Sequence, residues 1–113
     1  MVAERGPWAS QLRKGVLELA VLGLLDAEPK YGSQLVDELA VQPALEITAG
    51  TVYPLLARLA KAGLVTTRWQ ESPTGPPRKY YALSPAGREQ VRSLAGEFRA
   101  VAKAMNKVLE GIR

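Results

Sequence analysis

The chain has 113 residues, of which 47% are apolar, enough for the core of one small domain. It contains neither cysteine nor histidine. Disulfides, thiolate metal sites and histidine-based acid–base catalysis are therefore excluded, and we expect a cytoplasmic location. The longest apolar run, Val16 to Leu25, contains Glu18 and is shorter than the roughly 20 residues that a membrane helix needs. We expect neither a membrane partner nor export.

The positive charge is unevenly distributed along the chain. Residues 58–83 carry five basic side chains and one acidic one, and residues 84–113 carry six and three. Residues 15–57 carry one basic and six acidic side chains. A solvated charged surface would explain the basic excess, but its concentration in two segments favours a polyanionic partner.

The amino-terminal half predicts an arm and two helices. Residues 1–9 are expected to form an arm, followed by a helix from Ser10 to about Asp26. The second half of that helix is apolar almost all round, which requires burial on more than one side, so a partner subunit would cover part of it. Pro29 and Gly32 predict a turn. Ser33 is expected to cap a short second helix that ends before Pro43.

A third helix is predicted after Thr48, whose hydroxyl is expected to cap it. Gly63 would end this helix in the left-handed conformation. Pro54 interrupts the pattern, so either the regular helix begins just before Pro54 or the helix bends there. The apolar positions recur at steps of three and four residues and predict one buried face: Val52, Leu55, Leu56, Leu59 and Ala62.

A β-hairpin is predicted directly after the third helix. Val65, Thr67 and Trp69 alternate along the first strand, residues 78–83 form the second, and residues 71–77 read as the loop. Arg78 and Lys79 leave this loop together. A mainly α-helical chain with a basic two-stranded hairpin predicts a winged helix-turn-helix domain over residues 10–83. Such a hairpin suits the phosphates of a DNA duplex.

The last segment, residues 84–113, predicts a long helix that mediates dimerisation. Ser84 is a good cap and Pro85 suits the first helical position. The apolar positions then follow alternating steps of three and four, which is typical of a helix that packs along another helix. This seam could dock on the first helix of its own chain, or pair with a second copy and form a homodimer. Its residues are Val91, Leu94, Phe98, Val101, Met105, Val108 and Ile112.

Three motifs in this order and spacing resemble the PadR family of bacterial transcriptional regulators. They are Tyr31-Gly32, Thr51-Val52-Tyr53-Pro54-Leu55-Leu56 with Arg58-Leu59 and Gly63-Leu64, and Gly75 to Tyr81 leading into Leu83-Ser84 and Gly87. The single carboxy-terminal helix is similar to that of the smaller subfamily. The resemblance also accounts for Pro54, since the family carries a proline in its recognition helix.

The resemblance implies a homodimeric repressor that binds palindromic double-stranded DNA and is relieved by a small, hydrophobic or aromatic ligand. The recognition helix would enter the major groove and the wing would contact the backbone or minor groove. Phe98 would lie where relatives hold flat ligands between the two last helices, and Met105 is a second candidate there. Together with Lys61, which the basic end of the helix suggests, the expected DNA contacts are Tyr31, Thr51, Tyr53, Arg58, Gly75, Arg78 and Lys79.

Other functions have less support in the sequence. No phosphate-binding loop, nucleophile elbow or metal-ligand cluster is present, so we expect neither an enzyme nor a cofactor. A winged-helix module that binds protein remains an alternative, although its helix and wing would be apolar or acidic rather than basic. Tyr53 suits a DNA contact or packing on the wing. Trp8 and Trp69 suit either the core or a ligand site.

Overall fold

The computed structural model describes residues 6–112. Seven helices and strands follow one another within this range, with short 3-10 turns at Pro43–Leu45 and Leu109–Gly111. In chain order they are α1 (Gly6–Ala27), β1 (Lys30–Tyr31), α2 (Gly32–Ala40), α3 (Ala49–Lys61), β2 (Val65–Ser72), β3 (Gly75–Leu83) and α4 (Pro85–Val108).

The sheet has three antiparallel strands in the order β1-β3-β2. The winged helix-turn-helix prediction is confirmed, and so is the hairpin of β2 and β3. A third strand that was not predicted joins it, because β1 pairs Lys30 with Tyr81 and Tyr31 with Tyr80. Two residues give no recognisable strand pattern, and their extended conformation depends on the neighbouring β3. The strand joins the turn before α2 to the base of the wing.

The core lies between the helices and one face of the hairpin. Cross-strand pairs put Val65 beside Leu83 and Thr67 beside Tyr81 on that face. The predicted buried face of α3 is confirmed except for Ala62, which is exposed because it follows the last helical residue, Lys61. The buried apolar residues are Val21, Leu22, Leu25, Leu35, Leu39, Val52, Leu55, Leu56, Leu59, Val65, Tyr81, Leu83 and Val91.

The first helix begins earlier than the sequence suggested. It starts at Gly6, so residues 6–9 form its first turn instead of an arm, and residues 1–5 lie outside the described range. Leu12 in this helix is 75% exposed. Between residues 6 and 112, no helix combines the length and apolar composition needed to cross a membrane.

The wing strands are longer than predicted. The ladder continues to a pair between Ser72 and Gly75, so the connection shrinks from residues 71–77 to a two-residue turn. Pro76 and Pro77 lie in β3 near an irregularity in the register between Gln70 and Ser72. A missing backbone donor costs little where the ladder is already interrupted.

The junction between α3, β2 and α4 follows the predicted signals. Gly63 has a φ of +80° and ends α3, and the hydroxyl of Ser84 accepts a bond from the Gly87 amide at 3.0 Å. That hydroxyl also donates to the Gly63 carbonyl oxygen at 2.6 Å, while the Ser84 amide donates to the Leu64 carbonyl at 3.0 Å. The start of α4 is therefore fixed to the end of α3.

Gly87→Ala is expected to destabilise the fold. A Cβ at this position would overlap the carbonyl oxygen of Leu64, a backbone atom that the hydrogen bond from Ser84 holds in place. The cost should be about 1 to 3 kcal/mol, which lowers Tm by on the order of 10 °C for a domain of this size. Thermal unfolding followed by circular dichroism measures it.

Gly15→Ala is the matched control for this change. Gly15 lies inside α1 and a Cβ there has no neighbour within 4 Å, so alanine should stabilise the helix by roughly 0.5 to 1 kcal/mol. Equal Tm values for the two variants would contradict the close approach of Gly87 to Leu64.

Candidate nucleic-acid interface

Thr48 is the N-cap residue of α3 and directly precedes its first residue, Ala49. The Thr48 carbonyl accepts the amides of Thr51 and Val52 at 3.0 Å, and its hydroxyl lies 3.3 Å from the Thr51 hydroxyl. The predicted hydroxyl cap is therefore wrong in detail, since the side chain bonds to Thr51 instead of to a backbone amide. The regular helix starts at Ala49 and runs through Pro54, so the proline lies beyond the first turn.

Tyr53 projects from α3 toward the start of α2. A Cβ at Gly32 would overlap the Tyr53 ring, so the ring packs this closely on α2 only because residue 32 is glycine, and a side chain there would displace it. Tyr53 nevertheless remains 45% exposed. Its neighbour Tyr81 is buried, and burial, with a smaller effect of Tyr53, raises the pKa of Tyr81 above 10.0. Tyr53 thus packs against α2 and still presents part of its ring to solvent.

Arg78 is held on the wing by aromatic contacts. Its guanidinium carbon lies 4.4 Å from the centroid of the Tyr31 ring, and Tyr31 meets Tyr80 edge to face at 5.4 Å. Lys79 lies on the opposite face of β3, with its ammonium 5.8 Å from the Tyr81 ring centroid. A cation near an aromatic face is attracted by the ring quadrupole. The two wing cations therefore have defined positions on either face.

An ion-pair cluster around the buried Lys30 lies next to Tyr31. Lys30 exposes only 6% of its surface and contacts Glu38 at 3.1 Å and Glu28 at 3.4 Å. The hydrogen bond to Glu38 raises the pKa of Lys30 above 10.5 despite the opposing effect of burial. Gln34 donates to Glu38 at 3.1 Å and accepts from the Tyr31 amide at 3.3 Å. The N-cap of α2 is thus Tyr31, not Ser33 as predicted.

The predicted DNA contacts fall into separate regions. One groove of about 270 Å³, the wing groove, lies between the helices and the β2–β3 hairpin, and it is lined by Tyr31, Tyr53, Arg78 and Lys79. Thr51 and Arg58 line a second groove of about 390 Å³ on the α1 side of α3. Lys61 is exposed at the end of α3, and Gly75 is exposed at the wing tip. Neither Lys61 nor Gly75 lines either of these two grooves.

Sequence reasoning missed the roles of two residues in this region, one exposed and one buried. Trp69, 68% exposed, lines the wing groove opposite Tyr53. The sequence placed Lys30 in a turn, whereas in the structure it is buried at the centre of the ion-pair cluster with Glu28 and Glu38, next to Tyr31. The alternation of β2 could have placed Trp69 on the face of Lys79, whereas no sequence signal predicted a buried lysine.

The predicted seam of α4 divides into two parts. Val91 is buried in the core of its own chain and Leu94 packs against that core, so these two have little surface left for a partner. The intramolecular alternative therefore applies to the first turns of the helix. The remaining seam residues are 44% to 71% exposed: Phe98, Val101, Met105, Val108 and Ile112. The prediction that Ile112 continues the helical seam is wrong, because α4 ends at Val108 and Ile112 is extended after the 3-10 turn.

A cleft of about 780 Å³ lies between α1, the end of α2 and α4. Phe98 lines it, with Arg92, Arg99 and Asp26, and the Asp26 carboxylate lies 3.7 Å from Arg88. Met105, the second predicted ligand residue, does not line it. The apolar walls of the cleft are formed by Leu19, Ala20, Gly23, Leu24, Leu39, Leu45, Val91 and Ala95.

Comparison with known proteins decides the family. The model of the Transcriptional regulator PadR-like family matches residues 21–93, from the core half of α1 to the first turns of α4. The chain belongs to this family. The resemblance seen in the three sequence motifs is confirmed.

Solved PadR-like structures share the fold over nearly the whole chain. A PadR-like transcriptional regulator of Bacillus cereus is 34% identical and has a TM-score of 0.82, covering 89% of this chain and 98% of that one. A PadR family regulator of Eggerthella lenta is 35% identical, with a TM-score of 0.78 and coverage of 92% and 90%. The Bacillus subtilis PadR crystallised with operator DNA is 25% identical, has a TM-score of 0.63, and covers 69% of this chain and 45% of its own.

Proposed function

We propose that this PadR-like regulator binds duplex DNA sequence-specifically as a homodimer and represses transcription until a small aromatic ligand releases it. The observation that carries the proposal is the wing groove, which is lined by Tyr53 of the recognition helix and by the two wing cations, Arg78 and Lys79. Phosphate contacts by such cations position a protein on the duplex, while side chains of the helix read base edges. The operator complex of Bacillus subtilis PadR supports the same use of the shared fold.

The homodimer is supported by the exposed part of the α4 seam. A helix of 24 residues is roughly 36 Å long at 1.5 Å per residue, and only its first turns pack on the core. The apolar stripe from Phe98 to Val108 is exposed in one chain, which is typical of a helix that pairs with another helix. A two-fold axis between the copies would present two recognition helices to a palindromic operator.

The direct test is a titration of fluorescein-labelled duplex with the protein, followed by anisotropy at several salt concentrations. We expect binding whose log K falls linearly with log salt, because phosphate contacts release counterions. Absence of binding to any duplex at low salt would contradict the proposal. It would favour the winged-helix protein-interaction module instead.

Ligand relief rests on Phe98 and the cleft between α1 and α4. Planar aromatic compounds are expected to release bound DNA, and Phe98→Ala should abolish this response while DNA binding persists, because Phe98 offers a stacking face at the cleft. Anisotropy of a preformed complex during ligand addition measures the release. Met105→Ala tests the second candidate residue, which lies outside the cleft and should respond like wild type. A Phe98→Ala protein that still releases DNA normally would rule the site out.

A further inference from the structure

Trp69 is an exposed aromatic residue that the core does not use. It lies on the same sheet face as Val65 and Tyr81, but beyond the edge of the core, and it is 68% exposed. Its cross-strand partner is Lys79. An exposed indole in the middle of β2 leaves a large apolar area in contact with water. A partner that covers this area lowers the free energy of the complex.

The surroundings of Trp69 define the chemistry of that partner. Trp69 lines the wing groove, whose other lining residues include Tyr53 of α3 and Ser33 of α2. The charged residues that line this groove are Arg78 and Lys79, and no carboxylate is among the lining residues. The nearest acidic side chain in the strand, Glu71, lies two residues further on, at the register irregularity. The groove therefore suits an anionic partner with apolar parts.

The sugar–phosphate backbone of a duplex has both properties. It alternates anionic phosphates with deoxyribose rings, whereas the flat faces of its bases are covered by stacking. An indole offers an apolar face and one N–H donor. It can therefore pack on a sugar and donate to a phosphate without unstacking a base.

We propose that Trp69 is a DNA-backbone contact, which packs on a deoxyribose and donates its Nε1–H to a phosphate oxygen of the strand running between the recognition helix and the wing. The inference rests on the proposed DNA-binding function and adds a residue to it. The contact is independent of base sequence, because sugars and phosphates carry no direct sequence information. Trp69 thus sets affinity and the position of the wing on the duplex.

Fluorescence of the intact indole is the first test. Trp8→Phe removes the other tryptophan, which is 84% exposed at the start of α1, and leaves Trp69 as the reporter. Addition of an arbitrary duplex of roughly 20 base pairs, about two helical turns, should shift the emission to shorter wavelength and reduce quenching by acrylamide. Trp69→Phe, with Trp8 retained, is the control, and its emission should not change. An unaltered Trp69 signal while labelled-duplex anisotropy reports binding would overturn the proposal.

Affinity is the second test. Trp69→Ala should lose on the order of tenfold in affinity, about the effect of one hydrogen bond to a charged group, on operator and arbitrary duplexes alike. The slope of log K against log salt should stay unchanged, because no charge is removed. Trp69→Phe should recover part of the loss, since it keeps an apolar face and lacks the donor.

The two tests separate this inference from the proposed function. If Trp69→Ala binds like wild type while loss of Arg78 and Lys79 weakens binding, Trp69 is no contact and DNA binding stands. If wild-type protein binds no duplex at low salt, the proposed function fails, and the contact fails with it. Loss confined to one base sequence would also overturn the backbone assignment.

Discussion

Replacing Arg78 and Lys79 together by alanine is expected to weaken duplex binding roughly 100-fold, because charge-assisted contacts contribute about 1.5 kcal/mol each and about 1.4 kcal/mol is tenfold in affinity. The slope of log K against log salt should flatten by roughly 2, one for each lost phosphate contact. The loss should be similar for all sequences. Anisotropy titrations with labelled duplex between low and moderate salt measure both quantities.

Lys103→Ala with Lys107→Ala is the matched control for the wing variant. Both lysines are exposed on α4, outside the seam, and their removal lowers the net charge by the same amount. This protein should keep the wild-type slope. If the wing variant also keeps that slope, Arg78 and Lys79 are only a solvated hairpin edge, which discourages strand aggregation.

Val101→Glu is expected to convert the dimer into monomers or unfolded protein. Val101 is 57% exposed in one chain and lies in the exposed seam, between Phe98 and Met105. Burial of the exposed seam side chains at roughly 1.5 to 3 kcal/mol each contributes on the order of 10 kcal/mol before entropy costs. A carboxylate in that interface lacks a partner and is strongly disfavoured. Sedimentation over a range of protein concentrations measures the change.

Lys103→Glu controls for the new charge in this experiment. It places a carboxylate on the same helix, two residues away on an exposed surface outside the seam. This variant should sediment as the wild-type dimer. A folded Val101→Glu protein that also sediments as a wild-type dimer would show that the seam is not the interface.

The local signals of the sequence predicted most of the elements that position the site. Steps of three and four residues identified the buried face of α3, and Gly63, Ser84 and Pro85 marked the boundaries between α3, the hairpin and α4. These signals succeed because helix ends depend on nearby backbone groups. Pro54 left two alternatives open in the sequence, a regular helix that begins just before it or a helix that bends there. The helix begins at Ala49, so the late start is wrong, and Pro54 lies in its second turn.

Features that depend on tertiary contacts were not predictable in the same way. Strand β1 exists through its pairing with β3, and Lys30 is buried because Glu28 and Glu38 neutralise it there. The pairing of Tyr31 with Arg78 joins residues 47 positions apart in the chain. The apolar spacing of the seam indicated one face of α4, but the sequence could not show that Val91 and Leu94 pack on the core of the same chain while the later residues stay exposed.

The central claim is that two copies of this chain bind one DNA site through paired recognition helices and wings. Selection of bound duplexes from a random-sequence pool tests it most directly. We expect an inverted repeat whose half-site centres lie about 10 base pairs apart, one turn of the duplex, or a multiple of it. Enrichment of a single site without two-fold symmetry, or no enrichment by folded protein, would contradict the claim.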